Sequence, residues 1–179
     1  MMYFALKRLY SIVALVGIFL MLLAAGCYAA GVRINTTKSI PLGIYWVSKE
    51  PIHKGAYVLF CPPDTSAFST ARDRGYIGAG YCPGGYGYMM KRILAAKGDS
   101  VSITPEGVTV NGELLKLSKV LQSDKAKRPL PHFYITDYRL EDSELLLMSD
   151  VSAISFDGRY FGPIERSQVE TVIKPVFIW

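Results

Sequence analysis

Between Arg8 and Arg33 the chain runs for 24 residues without a charge, and most of them are Leu, Ile, Val, Ala, Met or Phe. A helix of that length extends about 36 Å at 1.5 Å per residue, longer than the hydrocarbon layer of a bilayer is thick. The run divides the 179 residues into an apolar N-terminal segment and a remainder large enough for one domain with its own core. No second stretch approaches the roughly 20 apolar residues a further crossing needs, which excludes a multi-pass protein. We therefore read residues 1–32 as a cytoplasmic tip and transmembrane anchor, and residues 33–179 as the folded domain. Lys7 and Arg8 precede the run, and the positive-inside rule places them in the cytoplasm. Residues 33–179 are then expected on the outer face of a bacterial inner membrane, in the periplasm. The alternative is a cleaved signal peptide, which leaves a soluble periplasmic domain. The apolar region of such peptides is usually about 7–15 residues, shorter than this one.

The formal charge of +5 owes two units to Lys7 and Arg8. The remaining surface is mixed, and its basic cluster, Lys125, Lys127 and Arg128, sits beside prolines in an expected solvated loop. Nucleic-acid binding needs a basic stripe or a recognisable module, and neither is present, so nucleic acid is not an expected partner. Cys61 and Cys82 lie 21 residues apart with no metal-ligand spacing around them. In an oxidising compartment such a pair is most simply a disulfide; two buried free thiols are the alternative. No Cys-x-x-Cys, zinc-ligand set or phosphate-binding loop is found, so neither a metal nor a cofactor is expected. The stretch around Gly84-Gly85 reads as a mobile surface loop.

The outer domain reads as mainly β. Short apolar or β-branched runs bounded by Pro and Gly predict strands at 43–48, 56–61, 89–95, 101–104, 108–110, 113–117, 132–136, 145–149 and 171–178. Asn111-Gly112 between two of them is a strong two-residue hairpin signal. Helix is expected at 65–74, with Asp64 as its cap, and as a single turn at 164–169.

His53 and His132 both sit in loop or strand-edge contexts, which gives a Ser-His-Asp triad little support. Three other segments together carry a more specific signal. Asn35-Thr36-Thr37-Lys38-Ser39-Ile40-Pro41-Leu42-Gly43-Ile44-Tyr45 follows the apolar run closely. Tyr88-Met89-Met90-Lys91-Arg92-Ile93-Leu94 places a lysine in an apolar strand and is followed by Gly98-Asp99. Ser155-Phe156-Asp157-Gly158-Arg159 comes last. In this order the segments resemble the catalytic boxes of the signal peptidase I (S26) family of Ser/Lys peptidases. The Ser-x-Pro-x-Gly-x-Tyr form at 39–45, Cys61-Pro62-Pro63 and Cys82-Pro83-Gly84-Gly85 are similar to the conjugative-transfer branch of that family. Two positions depart from the general pattern: Gly158 stands where a second Ser is usual, and Lys97 where Pro often precedes Gly-Asp.

The resemblance implies a signal-peptidase-like β domain behind one N-terminal transmembrane helix. It implies Ser39 as nucleophile, Lys91 as general base, and an oxyanion hole made by the Ser39 N–H and the Thr37 hydroxyl. Ser155 would orient Lys91, while Asp157 and Arg159 would brace the Ser155 loop as an ion pair. Met89, Met90, Ile93 and Leu94 are expected to desolvate the amine, and Gly43 to allow the turn into the next strand. The implied substrate is a membrane-tethered precursor, a pilin in the conjugative branch, cleaved beside the lipid bilayer and released by water or as a ring. Other conjugation or type IV secretion components are implied partners. General signal peptide removal and a non-catalytic envelope scaffold are the competing readings.

Overall fold

A computed structural model describes residues 2–179, which divide into two compact units, one ending at Arg33 and the other comprising Ile34–Trp179. The first is helix α1, Met2–Ala29, within which Leu6–Ala29 is long and apolar enough to cross a membrane. The helix stops three residues short of Val32. Arg33 folds back to donate to the Tyr28 carbonyl at 2.8 Å, meeting one of the acceptors left open at a helix C-terminus. Cys27 lies on this helix as an exposed free thiol.

The second unit is built from strands. In chain order they are β1 (Val32–Asn35), β2 (Gly43–Ser48), β3 (Tyr57–Phe60), β4 (Ala79–Cys82), β5 (Met89–Ala95), β6 (Ser100–Thr104), β7 (Gly107–Val110), β8 (Glu113–Leu114), β9 (Ile135–Arg139), β10 (Glu144–Met148), β11 (Ile164–Glu165) and β12 (Val169–Ile178). Helix α2 (Ser66–Asp73) follows β3, and a single helical turn, α3 (Gly158–Phe161), follows β10. A seven-stranded sheet has the order β1-β2-β12-β3-β5-β10-β11, and a four-stranded sheet the order β8-β7-β6-β9. The fold class is mainly β, as the sequence predicts.

β2 and β5 keep their predicted bounds, whereas other elements differ for local reasons. The strand expected at 113–117 ends at Leu114, since Leu117 turns left-handed at φ +56° and Ser118 satisfies the Val108 N–H and the Leu115 carbonyl. The strand expected at 132–136 starts at Ile135, because Phe133 turns away to pack against Gly162. Thr65 rather than Asp64 occupies the N-cap of α2; the Asp64 carboxylate instead accepts from the Tyr86 hydroxyl at 3.2 Å. The turn expected at 164–169 is the short strand β11 followed by a 3₁₀ turn at Arg166–Gln168. Asn111 and Gly112 both adopt positive φ, as a two-residue hairpin requires.

The larger of two core clusters includes Phe60, Phe68, Ile93, Leu145, Leu146 and Leu147, all nearly or fully buried, and a smaller one joins Ile40, Tyr45, Leu59 and Ile173. The aromatic end of the larger cluster matters most for function. Phe156 meets Phe68 edge-on at 5.9 Å and stacks parallel to Tyr160 at 5.9 Å, so the residue after Ser155 is wedged into rings. Cys61 and Cys82 are disulfide-bonded, with Cα atoms 5.4 Å apart. At the glycine-rich stretch next to Cys82, Arg72 donates to the Gly84 carbonyl at 2.6 Å. Reducing the disulfide is expected to cost about 3 kcal/mol by the chain-entropy relation for a loop of this size. Denaturant unfolding with and without thiol reagent measures this; coincident midpoints would contradict it.

Candidate active site

The chemistry-bearing segments meet at one cleft of about 800 Å³, lined by residues that include Thr37, Ser39, Lys91 and Ser155. Ser39 stands on the turn between β1 and β2, and Pro41 follows it in a connection too short to wander. Two anchors shape that turn. Tyr45 Oη donates to the Pro41 carbonyl at 2.6 Å, and burial, followed by the nearby Tyr57 and Asp150, pushes its phenol up to about 12, so it remains a donor. Asn35, buried at the end of β1, donates to the carbonyls of Thr37, Ile40 and Pro41 and accepts from Thr37.

Lys91 is the third residue of β5, paired with Val58 of β3. The strand alternates strictly between buried and half-buried residues, so Met89, Lys91, Ile93 and Ala95 share the inward face. Met90 and Leu94 belong to the opposite face and do not supply the desolvation expected of them beside Met89 and Ile93. The Lys91 side chain is 1% exposed, and its Nζ donates to Ser155 Oγ at 3.0 Å. Desolvation lowers its pKa to about 8; Asp157 opposes that fall and Arg159 assists it. An amine in this state is neutral in a useful fraction of molecules near neutral pH, which an exposed lysine is not.

Ser155 is positioned from behind. Asp157 and Arg159 are both fully buried and form a paired contact, with Arg159 Nε and Nη2 donating to the two carboxylate oxygens at 2.8 and 2.9 Å. Arg159 also donates to the carbonyls of Ser152, Ala153 and Ser155, and reaches Leu117 and Lys119 in a separate segment. Burial works against its charge, but the hydrogen bond and charge of Asp157 outweigh burial and raise its pKa. Asp157 in turn accepts from the Ser149 N–H at 3.0 Å, tying the Ser155 loop to the end of β10.

One of the two departures from the general family pattern has a structural reason. A Cβ on residue 158 would lie 2.7 Å from Leu146 Cδ1 and 2.9 Å from the Leu147 carbonyl, so β10 leaves room only for glycine. Lys97 is exposed and paired with Asp142 at 2.8 Å. Gly43 also has a different task from the one expected: a Cβ there would fall 2.2 Å from the Phe177 carbonyl, so glycine permits β2 and β12 to pair closely.

Sequence reasoning missed part of the cleft wall. Lys125 and Arg128, expected to be merely solvated, line the cleft together with Tyr76 and Asp124. Asp124 organises this segment by accepting from Tyr76 Oη, the Ala126 and Arg128 N–H groups and Arg128 Nε. The hydrogen bond from Tyr76 leads the interactions that hold its carboxyl well below the usual range. Asp124 followed by Lys-Ala-Lys has the form of an Asx turn, the signal that could have flagged it. His53 and His132 are not among the residues lining the cleft. Among the described residues no group of His, Cys, Asp and Glu is placed to hold a metal.

Comparison with known proteins identifies the family. A family model described as signal peptidase, peptidase S26, matches residues 4–179. The chain is 63% identical over 174 residues to a plasmid transfer protein TraF of Escherichia coli, covering 97% of this chain and 98% of the relative. It is 33% identical over 168 residues to a conjugal transfer protein TraF of Agrobacterium tumefaciens (strain 15955), covering 89% and 90%. Among solved structures, a signal peptidase I from Enterococcus faecalis V583 aligns with a TM-score of 0.41 and 17% identity, over 71% of this chain and 100% of that one. With a family model spanning nearly its whole length and relatives this similar end to end, the chain belongs to the signal peptidase family, peptidase S26.

Proposed function

We propose that this protein is a membrane-anchored serine endopeptidase with a Ser39/Lys91 dyad, and that it processes a pilin precursor in conjugative DNA transfer. The observation that carries the reading is the Lys91 amine: buried, lowered to about 8, held by Ser155 Oγ, and lining the same cleft as Ser39. The conjugative context rests on the relatives named for plasmid and conjugal transfer.

Neutral Lys91 accepts the Ser39 hydroxyl proton as Oγ bonds to the scissile carbonyl carbon. The oxyanion is held by the Ser39 N–H and the Thr37 hydroxyl. Collapse breaks the C–N bond, and Lys91 returns the proton to the leaving amine. The acyl-enzyme on Ser39 is then released by water, or by the precursor's own amine to give a ring. The substrate enters as an extended segment along the cleft. Lys7 and Arg8, in the first turns of α1 and ahead of its charge-free stretch, support a domain on the outer face of the membrane, close to tethered precursors.

Replacing Ser39 with Ala is expected to abolish precursor processing while leaving the melting temperature within a few degrees of wild type. Mass spectrometry of the pilin from cells carrying either form reads this. A processed pilin in the Ser39→Ala cells would refute the peptidase reading. Rescue of general secretion in cells depleted of their own signal peptidase would instead favour broad signal peptide removal.

A further inference from the structure

Asn35 is the most heavily bonded side chain beside the nucleophile, and the chemistry above gives it no part. It is 3% exposed. Its Nδ2 lies 2.8 Å from the Thr37 carbonyl, 2.9 Å from that of Ile40 and 3.0 Å from that of Pro41. These acceptors flank Ser39 on both sides, and two amide protons serve all three. On the other side of the amide, Oδ1 accepts from the Thr37 N–H at 3.1 Å and from Thr37 Oγ1 at 3.0 Å.

The last contact conflicts with a donor role for Thr37. A hydroxyl has one proton. While that proton points at Asn35 Oδ1, Thr37 offers the cleft only lone pairs, and an oxyanion needs a donor. The conflict is resolved by the strength of the two acceptors. A neutral substrate carbonyl is no better an acceptor than a neutral amide oxygen, so the hydroxyl has no reason to leave Asn35. An oxyanion is charged, and hydrogen bonds to charged acceptors are roughly twice as strong.

We infer that Asn35 is a positioning residue that holds the Thr37 hydroxyl in reserve and releases it to the oxyanion only as charge develops. The inference rests on the roles proposed for Ser39 and Thr37. Release is a rotation about the Thr37 Cβ–Oγ1 bond and breaks no covalent bond. Asn35 keeps the Thr37 N–H and the carbonyls on either side of Ser39 while the hydroxyl turns. The donor thereby discriminates between ground state and transition state, which is the form of binding that raises kcat.

The test uses the full-length protein in liposomes with the pilin precursor, following the rate of processing at limiting and saturating precursor. Thr37→Val is expected to lower kcat about 100-fold with KM nearly unchanged, the usual cost of one oxyanion donor. Thr37→Ser keeps the hydroxyl and should stay within about threefold of wild type by the same argument. Asn35→Asp offers the hydroxyl a charged acceptor that competes with the oxyanion, and should lower kcat about 100-fold. The double variant should lose far less than the product of the two single losses, because the larger part of the Asn35 effect passes through that hydroxyl. A loss near the product, about 10,000-fold, would mean the two residues act independently and would overturn the inference. A loss confined to KM would do the same. Asn35→Ala runs in parallel, and the cycle is read on whichever Asn35 variant keeps the wild-type melting temperature. If neither does, Asn35 is only a structural brace and the inference falls. Ser39→Ala separates the levels: if it still processes the precursor, the peptidase reading fails first. If Ser39→Ala is inactive and the cycle is additive, only the role of Asn35 is lost.

Discussion

Replacing Lys91 with Met is expected to reduce precursor processing by about 10⁴-fold and, at neutral pH, to make the protein more stable. Both effects come from one fact, the burial of an amine inside β5. The folded-state pKa of about 8 lies below the ordinary value of 10.5. The unfolded chain therefore binds more protons than the folded one between those values, and wild-type stability rises with pH across that window. Below pH 8 the full penalty applies, about 3 kcal/mol, and loss of the bond to Ser155 offsets about 1 kcal/mol of the gain from removing it. The stabilisation by Met should then be about 2 kcal/mol at pH 7, fall to zero near about pH 10, and reverse sign above it. Denaturant unfolding of both forms at pH 7 and 10 measures it; a difference that does not change with pH would show that Lys91 titrates normally. In wild type, kcat/KM should climb through an apparent pKa near 8 as the base loses its proton. A flat profile from pH 6 to 10 would remove Lys91 from the proton transfer.

Arg159→Leu is expected to destabilise the protein by about 3–5 kcal/mol, a large part of the 5–15 kcal/mol that holds a typical domain together. The cause is the Asp157 carboxylate, fully buried and left without its cation. The ordinary worth of a surface ion pair, about 0–1 kcal/mol, does not apply, since neither side chain touches water. Removing the charge as well, in Asp157→Asn with Arg159→Leu, should recover about 2 kcal/mol, because what remains is a neutral polar group. Urea titration of the single and double variants decides the matter. A single variant within 1 kcal/mol of wild type would show that water reaches the pair. The carbonyls of Ser152, Ala153 and Ser155 lose their common donor in both variants, so processing should stay impaired even where stability returns.

Much of the sheet was legible because its residues have a strong local period. β5 alternates between the two faces of a sheet, and β2 begins and ends at changes in composition. β4 was not legible: Ala79, Gly80 and Tyr81 are exposed, and no apolar period marks them. The chemistry of Ser39, Lys91 and Ser155 was suggested by the order of their segments, but the 3.0 Å contact between residues 64 positions apart is a product of packing β10 against β5. Asn35 was visible in the sequence as part of the Ser39 segment, yet nothing local distinguishes a strand-end Asn from one that spans a whole turn. Two of its three carbonyl contacts exist only once residues 40 and 41 have folded back over it.

The position of β12 has a consequence for when this protein can act. Although latest in the sequence of the strands, it lies between β2 and β3, pairing antiparallel with both. The Ser39 turn hangs from the β1–β2 side of it, and Lys91 belongs to the β3–β5 side. Until residues 169–178 have inserted between β2 and β3, Ser39 and Lys91 belong to two unconnected halves of a sheet. Such distant pairing is slow to form. If Ser39 and Lys91 act together as proposed, a chain in which β12 has not yet paired has no assembled site, and the insertion of that strand is what completes it.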